Sequence, residues 1–364
     1  MTTSADEEVT AFLTRMAAGS ATPDGELPVR VRRGAKSRMA GWGAITALGV
    51  GAVPLMASLV LGVLPGEHLP LVGGGERIAF MRSGGGSHRI WVMEPDGSSQ
   101  VPVSPADVDA IAPSWSPDGE RIVYVRYRDG TDREDRLQIL DLRSGVLETL
   151  AATPSGFPSS PIWSPDGSTI AFVDGIPGDE PGTYAGNGLY LISTSGEDLQ
   201  LLTDEVGSNI SWSPDGREIV FERSVRNTSG DPSEAEHNRE GLWAVNVSDG
   251  SLRQITNVDG QVPEWSPDGT LIAYSEGASA IWVVNADGTG GNRPVTDLPP
   301  DTGFAPETEV FGAQWSPDGT WLSYCSDASR PGHHDLYKIH PDGTGLVQLM
   351  ETPEYECGAT WRPA

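Results

Sequence analysis

From residue 77 onward the chain alternates short apolar runs with polar turns. The runs Arg121–Val125, Thr169–Val173, Glu218–Phe221, Leu271–Tyr274 and Trp321–Tyr324 are each followed, after a loop, by a second run: Leu137–Leu140, Leu189–Ile192, Leu242–Val245, Ile281–Val284 and Leu336–Ile339. These four- to five-residue runs, rich in β-branched and aromatic residues and bounded by Gly, Pro, Asp and Ser, predict strands rather than helices. A Gly-containing turn closes each pair (Ser144-Gly145, Ser195-Gly196, Asp249-Gly250, Asp287-Gly288, Asp342-Gly343), and a third strand ends near Leu150, Thr203, Thr256, Thr296 and Met350.

The pattern has a period. Trp-Ser-Pro-Asp-Gly starts at Trp115, Trp163, Trp212, Trp265 and Trp315, with spacings of 48, 49, 53 and 50 residues, and a degenerate copy, Trp361-Arg362-Pro363, follows 46 residues later. A repeat near 50 residues with four strands per unit, counting the strand that carries the Trp, predicts propeller blades. Within the motif Pro presets φ, Asp bonds nearby backbone and Gly takes a left-handed conformation. Turn chemistry therefore accounts for the five aspartates without a catalytic role, and the Trp is expected to pack between blades. Before Trp115 only three strands are present: Arg77–Met81, Ile90–Met93 and Gln100–Ser104. The missing innermost strand is supplied by Gly358–Trp361. Five complete units and one composite of three strands plus one predict an all-β, six-bladed propeller closed by pairing its two ends, which protects the strand edges.

The first 74 residues read differently. No charge occurs between Met39 and Gly66, and Trp42–Leu64 is 23 residues long, enough to span about 30 Å of hydrocarbon. Arg30, Arg32, Arg33, Lys36 and Arg38 precede it, so the positive-inside rule places residues 1–38 in the cytoplasm and the propeller outside. The polar region ahead is too long for a signal peptide, and no small-x-small site follows Leu64. The expected organisation is a cytoplasmic tail, 1–38, with a short amphipathic helix over Ala5–Ala18 headed by Ser4-x-x-Glu7 or a frayed end in its place; a membrane helix, 39–66; a linker, 67–74; and the propeller, 75–364.

Charge narrows the partners. Residues 1–66 carry net +1 while the chain carries −27, leaving −28 for the remainder. That repels phosphate backbones and argues against nucleic acid. Arg outnumbers Lys twenty-two to two, and with abundant Ala, Gly and Asp this matches a GC-rich bacterial genome.

The repeats Trp-Ser-Pro-Asp-Gly, Ile-Ala-Phe, Ile-Trp-Val-Met and Leu-Thr resemble those of TolB-type, WD40-like β-propellers, over about residues 75–364. They also resemble the propellers attached to some prolyl-oligopeptidase-type peptidases, although no Gly-x-Ser-x-Gly elbow is present. TolB itself has an additional N-terminal α/β domain and is a soluble periplasmic protein, whereas this chain has a tail and an expected anchor. The resemblance implies the fold and says less about activity.

The connections sort into two rims. Ser-Pro-Asp-Gly and the glycine turns lie on one. The longer connections, Tyr127–Arg136, Asp174–Gly188, Ser224–Gly241, Asp297–Gly312 and Ser326–Asp335, lie on the other, where recognition is expected. Asp107, Asp109, Glu205, Glu309, Glu354 and Glu356 sit on segments entering the inner strands from that rim, either as a negative channel mouth or as ordinary solvated charge. His333, His334 and His340 are the only histidine cluster. Adjacent histidines on an extended chain point opposite ways, so no metal is expected and no cofactor is indicated. Cys325 ends a second strand of the last full unit and Cys357 precedes the closing strand, at the same rim of neighbouring blades. A disulfide is expected, with two buried thiols as the alternative. The function expected is a non-catalytic binding, scaffold or sensing protein of the cell envelope that takes a protein or other envelope ligand on the long-loop face. The alternative is an envelope lyase or hydrolase working at the channel mouth.

Overall fold

The computed structural model describes residues 75–363 apart from 85, 128–134, 151–152, 179–183, 226–237, 277–279, 297–308 and 331, together with two short strands at 30–31 and 62–63. Six antiparallel sheets are arranged as six blades. Blade one has the order Tyr355–Trp361, Ile78–Gly84, Ser87–Met93, Val101–Pro102, so its innermost strand comes from the C-terminus and its other three from the start of the propeller. The ring thus closes by the three-plus-one pairing expected. The remaining blades run in chain order from inner to outer edge. Blade two is Asp109–Trp115, Arg121–Tyr127, Arg136–Asp141 and Val146–Thr149, and blade three Ser159–Trp163, Thr169–Pro177, Tyr184–Ser193 and Gln200–Asp204. Blade four is Val206–Trp212, Glu218–Val225, Asn238–Asn246 and Leu252–Thr256. Blade five is Gly260–Trp265, Leu271–Glu276, Ala280–Asn285 and Arg293–Pro294, and blade six Val310–Trp315, Leu322–Ser326, Asp335–Ile339 and Val347–Gln348.

The second strand of each blade is buried on both faces, which is why it reads as a continuous apolar run. Alternate side chains feed different interfaces. In blade two Ile122 and Tyr124 pack with Ala79 and Val92 of blade one, while Val123 and Val125 pack with Trp163 and Phe172 of blade three. Six such clusters fill the six interfaces, and the one between blades six and one joins Leu336 and Cys325 to Ile78, Phe80 and Trp361. The repeated Trp also bonds across blades. Trp115 Nε1 donates to the Thr360 carbonyl and Trp315 Nε1 to the Glu264 carbonyl, each at 3.2 Å, and Trp361 Nε1 donates to Ser323 Oγ at 2.9 Å.

Two details depart from the sequence expectation. The described ends of the segments Asp174–Gly188 and Ser224–Gly241 are strand and not loop. Pairing continues through Asp174↔Gly188 to Pro177↔Tyr184 and through Ser224↔Arg239 to Val225↔Asn238, so in blades three and four the second and third strands run past their apolar stretches. Backbone ladders hold these stretches in place of an apolar pattern, so hydrophobicity does not announce them. Outer strands of blades one and five shrink to two residues, each ending in a proline that cannot donate to a ladder.

Ahead of the propeller, Gly62–Val63 pairs antiparallel with Val146–Leu147 at the outer edge of blade two, and Arg30–Val31 pairs parallel with Gln200–Leu201 at the outer edge of blade three. The rest of the expected membrane helix and the Ala5–Ala18 helix lie outside the described residues, among which no helix is long and apolar enough to cross a membrane.

Candidate functional site: the long-loop rim and channel mouth

The inner strands surround the channel, and every one is bulged: pairing with the second strand shifts between four and one residues before the Trp in five blades, and between six and two before it in blade four. In five blades the residue three before Trp has positive φ: Ala112 (51°), Ser160 (47°), Val262 (50°), Gly312 (75°) and Gly358 (62°). Only the last two are glycines. A β-branched Val in this region costs about 1–2 kcal/mol of local strain, which marks the inner ring as overdetermined by its surroundings. A bulge re-aims the strand, and here it separates a regular lower half ending in Trp from an upper half that leads to the mouth.

Near the long-loop rim four of the six acidic residues singled out in the sequence are held by arginine or histidine side chains. Asp109 Oδ1 accepts the backbone N–H of His88 at 2.6 Å and lies 2.8 Å from its Nδ1. Glu205 accepts two bonds from Arg223, at 2.6 and 3.2 Å, and Glu309 lies 3.0 Å from His334 Nε2. Glu356, fully buried, accepts Arg82 Nε at 2.9 Å and the Thr352 hydroxyl. Burial raises the Glu356 carboxyl above its ordinary value, against the lowering effect of those same two partners. Asp107 is exposed and Glu354 partly buried. The mouth is therefore a ring of acid–base pairs more than a bare negative field. Arg82 is itself layered over Trp91, 4.4 Å from the ring centroid, and donates to Gln100 at 2.7 Å.

The histidines do not gather. His334 tilts against Tyr355, whereas His340 stacks on Trp321 at 3.8 Å near the opposite rim. Among the described residues no group of three or more His, Cys, Asp or Glu is placed to hold a metal. Cys325 and Cys357 form a disulfide with Cα atoms 5.4 Å apart, and it ties the second strand of blade six to the inner strand of blade one.

One residue was not singled out by sequence. Glu264 stands immediately before Trp265, where the other units have Ser114, Ile162, Ser211, Gln314 and Thr360. It is the only ionisable side chain at that repeat position, and that contrast was the available signal. Gln314 Nε2 donates to it at 3.3 Å and Ser211 bonds it as well. The residue as a whole is only partly buried, since it borders the channel, but its carboxyl group is desolvated and its pKa is pushed up to about 7. Protonation responds to the surroundings of the charged atoms, and those are enclosed.

Residues 75–256, half the chain, match the family described as "TolB beta propeller domain". The chain belongs to this family. The Tol-Pal system protein TolB of Anaeromyxobacter dehalogenans strain 2CP-C is 36% identical over 137 residues, covering 32% of this chain and 29% of that protein. The crystal structure of TolB from Acinetobacter baumannii superposes with a TM-score of 0.62 at 19% identity, over 79% of this chain and 67% of that one. A putative TolB from Agrobacterium tumefaciens gives 0.57 at 19% identity, over 80% and 100%. At these identities the structures attest the fold alone. The matched stretch spans less than a third of the curated relative's length.

Proposed function

We propose that this TolB-family propeller is a non-catalytic binding or scaffold protein of the cell envelope, which holds a protein partner on its long-loop face while an N-terminal helix anchors it in the membrane. The observation that carries the reading is the mouth itself. Acids paired with basic side chains (Asp109 with His88, Glu205 with Arg223, Glu309 with His334, Glu356 with Arg82) ring the channel on the long-loop rim. Such rings offer donors and acceptors for a polar, specific contact on a rigid frame. The relatives' naming as Tol-Pal system proteins supports an envelope protein as the partner.

The anchor is supported by the uncharged run. Even with Gly62–Val63 laid along blade two, Trp42–Leu61 leaves 20 uncharged residues, about 30 Å of helix. Insertion and the Arg30–Val31 pairing exclude each other, because the pairing keeps both ends of the run on the propeller side. A two-residue ladder contributes about 1 kcal/mol per hydrogen bond, whereas burying the run contributes about 0.8 kcal/mol for every CH2 group. Insertion wins that competition.

A photo-reactive residue placed at exposed Asp107 on the long-loop rim, or at exposed Ser248 on the other, tests the reading in cells that express the full chain. A discrete adduct with an envelope protein is expected from position 107 alone. Adducts of equal yield from both positions, or none from 107, would overturn it.

A further inference from the structure

The outer strands are the open edges of the six sheets, and the blades protect them unequally. A free strand edge is a template for pairing with another chain, and short length, proline and charge are the usual protections. The outer strands of blades one, five and six are two residues long, and those of blades one and five end in proline. Blade two's is Val146–Thr149, and Gly62–Val63 lies along it. Blades three and four keep five-residue outer strands without proline, Gln200–Asp204 and Leu252–Thr256. Blade four's carries Arg253, which reaches Glu218 at 2.7 and 2.8 Å and the Ala286 carbonyl at 2.8 Å. Blade three's has none of these protections, since Leu199-Gln200-Leu201-Leu202-Thr203 is uncharged. Leu199, Leu201 and Leu202 pack against the clusters between blades, so what this edge offers is backbone donors and acceptors.

Two observations say what fits there. The chain itself seats a strand on the edge, for Arg30–Val31 pairs parallel with Gln200–Leu201. Insertion of the uncharged run takes that strand to the other side of the membrane, so on the anchor reading above the edge stands open in the anchored protein. Exposed Glu197, Asp198 and Asp204 also flank the uncharged stretch, whereas the segment that supplies the strand, Val29–Arg33, alternates valine with arginine and ends in a further arginine. Acids at both ends of an apolar edge complement a basic strand.

We infer that the outer edge of blade three is a strand-acceptor site, separate from the long-loop face, at which the anchored propeller takes an extended, basic, β-branched segment of an envelope protein in the parallel register that Arg30–Val31 marks. In such strand addition backbone bonds supply the affinity and alternate side chains the selectivity. A peptide of the Val29–Arg33 sequence laid in that register sets Arg33 opposite Thr203, next to Asp204. A partner strand that runs the whole edge pairs with five residues where the chain's own strand has two, and so makes more ladder bonds.

The test uses the full chain in neutral detergent with Arg30→Pro and Val31→Pro, which empties the edge whether or not the anchor is inserted, because proline has no N–H to give a ladder. The probe is a fluorescent peptide of residues 26–36, read by anisotropy. Saturable binding is expected. The same peptide with Val31→Pro, equal in charge, should bind at least about ten-fold more weakly. Glu197→Lys with Asp204→Lys in the propeller should weaken binding by about the same factor. The matched pair Asp249→Lys with Asp342→Lys, on exposed outer turns of blades four and six, should leave it within about two-fold. No binding, undiminished binding of the proline peptide, or equal loss from both lysine pairs would overturn the site. A dimer of the chain that Glu197→Lys with Asp204→Lys dissolves would give the edge to a second copy and overturn the partner. The anchor is read separately: unaltered chain that fails to float with phospholipid vesicles would overturn it, whatever the peptide does.

Discussion

On the short-turn rim the serine hydroxyl of each Ser-Pro-Asp-Gly lies 2.5–2.7 Å from the aspartate two residues on and accepts the N–H of the residue five along. On the long-loop rim Glu356 finds Arg82 across 274 residues of sequence. One rim repeats because its bonds close within six residues, so each copy of the motif builds its own turn. The other varies because its contacts are made between strands and between blades, and each blade solves them separately. Local bonds make a rim uniform and structural, and non-local pairs leave it free to differ.

The largest effect expected falls on the element that belongs to neither rim. Deleting 356–364 removes Cys357, Ala359 and Trp361 from the cluster between blades six and one and exposes the Ile78–Gly84 edge. At about 1.5–3 kcal/mol per large buried apolar side chain, the loss approaches the whole stability of a domain. The truncated ectodomain should lose its cooperative melting transition by circular dichroism. Retention of the full-length melting temperature would refute closure by the C-terminal strand.

Replacing both cysteines, Cys325→Ser with Cys357→Ser, should cost on the order of 3 kcal/mol in urea unfolding, because the bond crosses the ring closure and encloses a loop 32 residues apart in sequence. Peptide mapping under non-reducing conditions checks the bond in protein taken from the envelope, and two freely alkylated thiols would contradict it.

The rims themselves are compared by Ser213→Ala and Arg223→Gln. Ser213 is buried and both donates to Asp215 and accepts from the Glu218 N–H, so its loss should cost about 1–2 kcal/mol. Arg223 pairs with partly exposed Glu205, so its loss should cost under about 1 kcal/mol while weakening the adduct formed from position 107. Equal costs by chemical denaturation would erase the distinction between the rims.

Two further effects are in pH dependence, and they have opposite signs. The Ser164 hydroxyl and the turn backbone hold Asp166 below its ordinary value. Its stabilising contribution is present above about pH 3.9 and is lost as pH falls through the lowered folded value, so Asp166→Asn should soften the acid limb of a stability–pH curve. Glu264, raised by desolvation from 4.5 to about 7, binds its proton more tightly when folded. Stability should fall as pH rises from 4.5 to about 7, and Glu264→Gln should remove that fall. A urea midpoint series across pH reads both, and an unchanged slope in the Gln variant would show that Glu264 titrates normally.

The amino-acid sequence by itself determined the period, the strand assignment, the short-turn rim and the number of blades, including the composite one. Each depends on information within one repeat: the apolar run buried on both faces, the turn whose bonds close in six residues, and a Trp whose place in the count survives at Trp361 even where the turn after it does not. The disulfide was legible to the extent that it follows from blade order. Only the tertiary structure decided which partner each mouth acid takes. His88, Arg82 and Arg223 reach the acids from neighbouring strands, and nothing in their local sequence marks them. The tertiary structure also decided that the second and third strands of blades three and four pair beyond their apolar runs, that the inner strands bulge even where Ala, Ser or Val must adopt positive φ, and that Glu264 is desolvated beside the channel. A strand's sequence records which faces are buried, but the groups that meet across a closed ring are set by the ring's geometry, which no single repeat contains.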